Sequence, residues 1–141
     1  MASIGLARAF DGTRYRVTTP AGAVTLVPGR RCPALDRQLA AGEMLLVLTA
    51  WNPRGRQAAR AVNRVRQRLL EARLRRRGHA WWPAVNAPGD PVWEEPSLAV
   101  PTRRPLEIAV LARRFAQAAV LVQRRGRPAR VVMLGSGIAR L

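Results

Sequence analysis

The sequence contains no lysine, and among its 141 residues there are only eight acids, one cysteine and one histidine. A single cysteine excludes an intramolecular disulfide framework and a cysteine-cluster zinc site. With Cys32 and His79 both solitary, no metal-ligand pair is expected, and no cofactor. No run approaches the ~18 uninterrupted apolar residues that a membrane span needs, so no membrane partner is expected. The opening MASIGLARAFDG is too short and too polar for a signal peptide, so the expected location is the cytoplasm.

What is abundant is arginine. All 25 basic residues are arginine, and against eight acids they give a net charge of +17. That balance fits an anionic partner, with nucleic acid the usual one. A GC-rich coding sequence also replaces lysine with arginine and enriches alanine, so the charge has a second source. The densest run is Arg73, Arg75, Arg76 and Arg77, at the end of an expected helix. Cations there complement the helix dipole as well as they would contact phosphate. Hydrophobic residues make up 48% and charged residues 23%, the balance of a folded domain and not of a disordered chain.

The chain reads as one domain, 1–141. Residues 1–42 hold a hairpin and a short helix, 43–134 an α+β core, and 135–141 a tail. Tyr15 to Thr18 and Ala23 to Val27 are strands around a Pro20-Ala21-Gly22 turn. Pro33 opens a short helix, Ala34 to Ala41, with Leu35 and Leu39 one turn apart. Met44 to Trp51 is an apolar run without alternation, as in a strand buried on both faces. A long helix follows, from about Gln57 to Arg77, ended by Gly78. Its apolar stripe is Ala58, Val62, Val65, Leu69 and Ala72. His79 to Val85 and Val92 to Val100 are strands, with Pro96 marking a bulge or an amide left out of the ladder. A second helix covers Leu106 to Ala116, with Ile108, Leu111, Ala112 and Phe115 inward. Two strands close the chain, Ala118 to Gln123 and Ala129 to Leu134. From residue 44 the order is β-α-β-β-α-β. The expected fold class is therefore α+β, a ferredoxin-like plait with both helices on one face and the N-terminal hairpin and short helix added at an edge.

This topology gathers polar residues from distant segments at one end of the sheet. Asn52, Arg56, Arg60, Asn63, Glu95, Ser97 and Gln117 are the candidate ligand-binding residues. Glu95 is read as facing the helices, with Glu94 outward. Its carboxylate suits an ion pair with Arg56 or Arg60, a ligand contact, or a general base. Asn63 and Gln117 suit the satisfaction of backbone groups as well as they suit ligand recognition. Trp51 is expected in the core, and Trp81 and Trp82 on alternate faces, at least one of them at an edge or interface.

Other motifs fail. His79 sits at the end of the plait opposite the gathered residues, away from any Cys–His pairing. Gly135-Ser136-Gly137 has the wrong spacing for a nucleophile elbow. Arg125 to Pro128 reads as a hairpin turn.

Several segments together resemble a bacterial family, the domain-of-unknown-function family numbered 3293. They are LTAWNP at 48–53, Asn63-Arg64, Gly78, WEEPSLAV at 93–100 and LARRFAQAAVL at 111–121. Upstream, a Pro-Gly before a helix carrying Ala34-Leu35-Asp36 fits too. Val62 stands where members usually carry glutamate, Gly55 where serine is frequent, and Leu98 where phenylalanine is typical. The resemblance implies no assigned activity. The element order is also similar to PII-like proteins, whose trimers bind small ligands between subunits, and that analogy leaves a homo-oligomer open.

The functional expectation is a module that binds a small anionic, nucleotide-like ligand, with arginines clamping the anion. The alternative is nucleic-acid binding through the arginine faces of the long helix and the 124–130 hairpin. A third reading is an enzyme with Glu95 as general base.

Overall fold

The structure is a computed structural model, and it describes residues 12–87, 94–135, 138 and 141. Expectations for the opening residues, for Trp93 and for Ser136-Gly137 lie outside the described residues.

The first hairpin forms where the turn residues indicate. Strand β1 is Arg14–Thr19 and β2 is Gly22–Leu26. Gly22 takes φ +121°, which a side chain would resist. The Thr19 hydroxyl closes the turn by donating to the Gly22 carbonyl (2.6 Å). Helix α1 is a single turn, Pro33–Asp36, yet both Leu35 and Leu39 are buried.

Strand β3 is Met44–Leu48. Leu46 and Leu48 join one apolar cluster and Leu45 and Val47 the other, so this strand is buried on both faces. A 3₁₀ turn at Pro53–Gly55 leads to the long helix α2, Arg60–Arg76. The helix ends in a Schellman arrangement. Gly78 sits at φ +80°, its N–H bonds the Arg75 carbonyl, and the His79 N–H bonds the Leu74 carbonyl. Strand β4 is Trp82–Ala87, β5 is Glu95–Thr102, α3 is Pro105–Arg114, β6 is Ala119–Arg124 and β7 is Arg130–Met133.

The ferredoxin-like (PII-like) plait expected from the sequence is not the architecture. All seven strands form one antiparallel sheet in the order β2-β1-β4-β5-β3-β6-β7, curled into a half-barrel. The hairpin is part of this sheet, because β1 pairs along β4 from Arg14↔Ala87 to Val17↔Ala84. Curling follows from the twist that accumulates across many antiparallel strands. One side of the sheet buries Leu46, Leu48, Leu98, Val100, Val120 and Val122 with residues of α2 and α3. The other side buries Tyr15, Val17, Leu26, Val47, Ala99 and Leu121 beneath Leu35 and Leu39.

Helix α2 is rotated from its expected setting. Its buried residues are Asn63, Gln67, Leu70 and Leu74. The stripe expected to be core points away, with Val62, Val65 and Leu69 50%, 58% and 53% exposed. Trp51 is half-buried and not a core residue, while Trp81 and Trp82 pack against opposite sides as expected. Helix α3 buries Ile108, Leu111 and Ala112 as read from its spacing. Pro96 sits in unbroken register opposite Val85, so there is no bulge. The β3 ladder has already ended at Leu48↔Leu98, so no amide is required of Pro96 on that side.

Candidate functional site

Beyond Leu48 the chain leaves the sheet, and the polar backbone of residues 50–52 must be satisfied some other way. Side chains from α2 and from the end of α3 do this. Gln67 Oε1 accepts from the Ala50 N–H (2.8 Å), and Asn63 Oδ1 accepts from the Asn52 N–H (2.8 Å). The Arg66 guanidinium donates to the Ala50 carbonyl (3.0 Å) and to the Phe115 carbonyl. Gln117 Nε2 donates to the Trp51 carbonyl (3.0 Å). The Thr49 hydroxyl and Gln67 Nε2 both donate to the Pro96 carbonyl (2.7 and 3.1 Å).

The backbone here is strained. Asn52, Arg54 and Ala116 are the described non-glycine residues with positive φ, at 46°, 59° and 58°. The Arg54 N–H bonds the Ala116 carbonyl (2.8 Å), so the strained turns are tied together. Asparagine tolerates this conformation, but arginine and alanine do so at a cost of about 1 kcal/mol or more each. Such strain persists only where the surroundings over-determine it.

The network ends on a carboxylate. Asn63 Nδ2 donates to Asn52 Oδ1 (2.9 Å), which also accepts from the Ala58 N–H (3.0 Å). These bonds fix the amide of Asn52, so its Nδ2 must point to Glu95 Oε1 (2.8 Å). Burial pushes the Glu95 carboxyl above its ordinary value, and the hydrogen bond from Asn52 only partly opposes this.

Glu95 does not face the long helices as the sequence reading has it. It shares a pleat face with Ser97 and Ala99, and Ala99 belongs to the opposite side of the sheet. Nor does it pair with Arg56 or Arg60, which are both exposed. Across the sheet it is opposite Asn86, which is opposite Tyr15 on β1. These three residues and the Asn52 and Gln117 amides surround a cavity of about 60 Å³. Val47, Ala119 and Leu121 contribute apolar wall. One water needs roughly 15 Å³ by such a measure, so the cavity takes a group of a few heavy atoms. Asn86 Oδ1 is buried and accepts no hydrogen bond among the described residues. A buried acceptor without a donor is costly and calls for an explanation.

Of the seven candidates, Asn52, Asn63, Glu95 and Gln117 come together at this end. Ser97 is adjacent, and its hydroxyl is turned to the Glu95 carbonyl (3.3 Å). Sequence reasoning missed Thr49, Arg66, Gln67, Asn86 and Tyr15. Gln67 was detectable in principle, one turn after Asn63 and in line with Leu70 and Leu74. His79 lies elsewhere, 3.0 Å from Glu107 in a cluster with Arg77 and Arg104. Among the described residues, no three His, Cys, Asp or Glu side chains could hold a metal ion.

Comparison with known proteins places this end of the sheet inside a recognised family. The family model "Protein of unknown function (DUF3293)" matches residues 48–120. The chain belongs to the DUF3293 family. The matched segment carries the whole network from Thr49 to Gln117, and Tyr15 lies outside it. No curated protein and no solved structure matches the chain. DUF3293 carries no assigned activity, so the chemistry must be argued from the residues. No helix of the described residues is long and apolar enough to cross a membrane.

Proposed function

We propose that this DUF3293 protein is a small-ligand-binding module whose cavity beside Glu95 takes a hydrogen-bond-donating head group, such as an amine, an amidine or a primary amide. The observation that carries this reading is the pairing of two acceptors across adjacent strands. Glu95 offers a carboxylate that accepts from Asn52, and Asn86 offers a buried oxygen with no donor among the described residues. A ligand N–H group satisfies both and restores the solvation that burial removed from Glu95. The ligand expected from the sequence was anionic, but an anion beside a buried carboxylate meets repulsion, and Arg56 and Arg60 do not line the cavity. Asn63 and Gln117 act in this reading as positioning residues, holding Asn52 and the strand end.

The test is a thermal-shift series on the full chain with ethylamine, acetamidine, acetamide, acetate and phosphate. Donor compounds should raise Tm by mass action. Asn86→Val should remove the shift, and Glu95→Gln should remove it for the cations first. A shift from acetate or phosphate alone would refute the reading.

A second reading rests on a separate surface. Arg124, Arg127 and Arg130 line an open groove of about 450 Å³ at the β6–β7 hairpin. If polyanions bind there, affinity falls steeply with salt and ignores Asn86→Val.

A further inference from the structure

The outward face of α2 is an apolar seam with no covering element among the described residues. Val62, Val65 and Leu69 are among the few large apolar side chains that are exposed, each by half or more. With Ala72 they recur along the helix at spacings of 3, 4 and 3, which is the a/d pattern of a coiled coil. The flanking e and g positions of that heptad are Arg66, Arg68, Arg73 and Arg75. Arg66 is held inward by the Ala50 and Phe115 carbonyls, and Arg75 stacks on Trp81 at 5.4 Å. Arg68 and Arg73 are exposed on either side of the seam, with no ion-pair partner among the described residues.

We infer that this seam docks an amphipathic helix of a partner protein, with apolar residues at its own a and d positions and acidic residues at e and g. Charge complementarity selects the occupant. A second copy of the chain would set arginine against arginine, and such repulsion specifies against self-pairing. Val, Val, Leu and Ala are knobs suited to helix packing, whereas a helix lying in a lipid surface uses bulky Trp, Phe and Leu on its apolar face. Helix α2 is already held by the fold through Leu70 and Leu74, so it does not pay its own nucleation cost. This docking is independent of the cavity at Glu95.

The test uses fluorescence anisotropy of a synthetic helical peptide with Leu at a and d and Glu at e and g. A control peptide carries Lys at e and g. The full chain should bind the acidic peptide with affinity on the order of micromolar and not bind the lysine peptide. Leu69→Ser should weaken binding about tenfold with the unfolding midpoint unchanged, because the residue is exposed. Arg68→Glu with Arg73→Glu should shift preference toward the lysine peptide. Binding that ignores Leu69→Ser would overturn the proposal, since arginine charge alone then explains it. So would failure to bind the acidic peptide, concentration-dependent self-association in sedimentation, or capture by vesicles of equal phosphatidylcholine and phosphatidylserine in place of the peptide.

Discussion

Replacing Asn63 with alanine should destabilise the protein by roughly 2–4 kcal/mol. The residue is 2% exposed, and its side chain serves three groups. It accepts from the Asn52 N–H and donates to Asn52 Oδ1 and, at 3.3 Å, to the Ala58 carbonyl. Truncation leaves a buried N–H without an acceptor, at about 1–3 kcal/mol, and removes a donor from an oxygen that keeps only the Ala58 N–H, at about 1 kcal/mol. Asn52 also loses part of what holds it at φ 46°. In a chain of this size 1 kcal/mol moves Tm by about 3–5 °C, so the expected fall is on the order of 10 °C. Urea unfolding followed by circular dichroism measures the difference as a shift in midpoint with unchanged slope. A loss below about 0.5 kcal/mol, typical of a surface substitution, would refute the claim that this side chain supports the strand end.

Adjacent leucines on α2 should behave oppositely. Leu70→Ala should cost about 2–5 kcal/mol as a core truncation, and Leu69→Ala should stay within about 0.5 kcal/mol. The reverse order in urea melts would restore the setting of the helix read from its apolar stripe. At the other end of the sheet, slight burial raises the Glu107 carboxyl, but hydrogen bonds from Arg77 and His79 and the charge of Arg104 outweigh it and hold it below its ordinary value. Its folded pKa is depressed, so its stabilisation is present above the unfolded value of 4.5 and is lost as pH falls through the folded one. Glu107→Gln should therefore cost under about 1 kcal/mol at neutral pH, and nothing in acid, as read from chemical denaturation across pH.

Legibility in the sequence varied with how local the cause was. The Pro-Ala-Gly turn, the proline-opened α1, the Gly78 stop and the α3 spacing are each decided within a few residues, and the structure has them. The run from Met44 to Trp51 announced a doubly buried strand because alternation was missing, and the structure has that strand over Met44–Leu48. The pairing of β1 with β4 was not legible, since it joins residues some seventy positions apart and no local pattern records a neighbour in a sheet. Helix α2 misled for a physical reason. Its more apolar stripe faces solvent, because the end of β3 needs side-chain hydrogen bonds and draws Asn63 and Gln67 inward. The site was legible where it depends on strand and helix ends, as with Asn52, Asn63, Glu95 and Gln117. Asn86 lay just beyond the strand read as ending at Val85, and Tyr15 lay in a hairpin taken for an edge addition.

Glu95, as a desolvated acceptor awaiting a donor, has a titration that responds to a bound donor. Its side-chain carboxyl carbon can be followed by NMR across a pH titration, in the free protein and with acetamidine added. Burial should set the free-protein midpoint above the ordinary value of 4.5, so the native state binds this proton more tightly than the unfolded chain and loses stability as pH rises between the two values. Acetamidine should move the midpoint downward and release the proton on binding. An ordinary midpoint in the free protein, or one that acetamidine leaves in place, would mean that Glu95 is not such an acceptor.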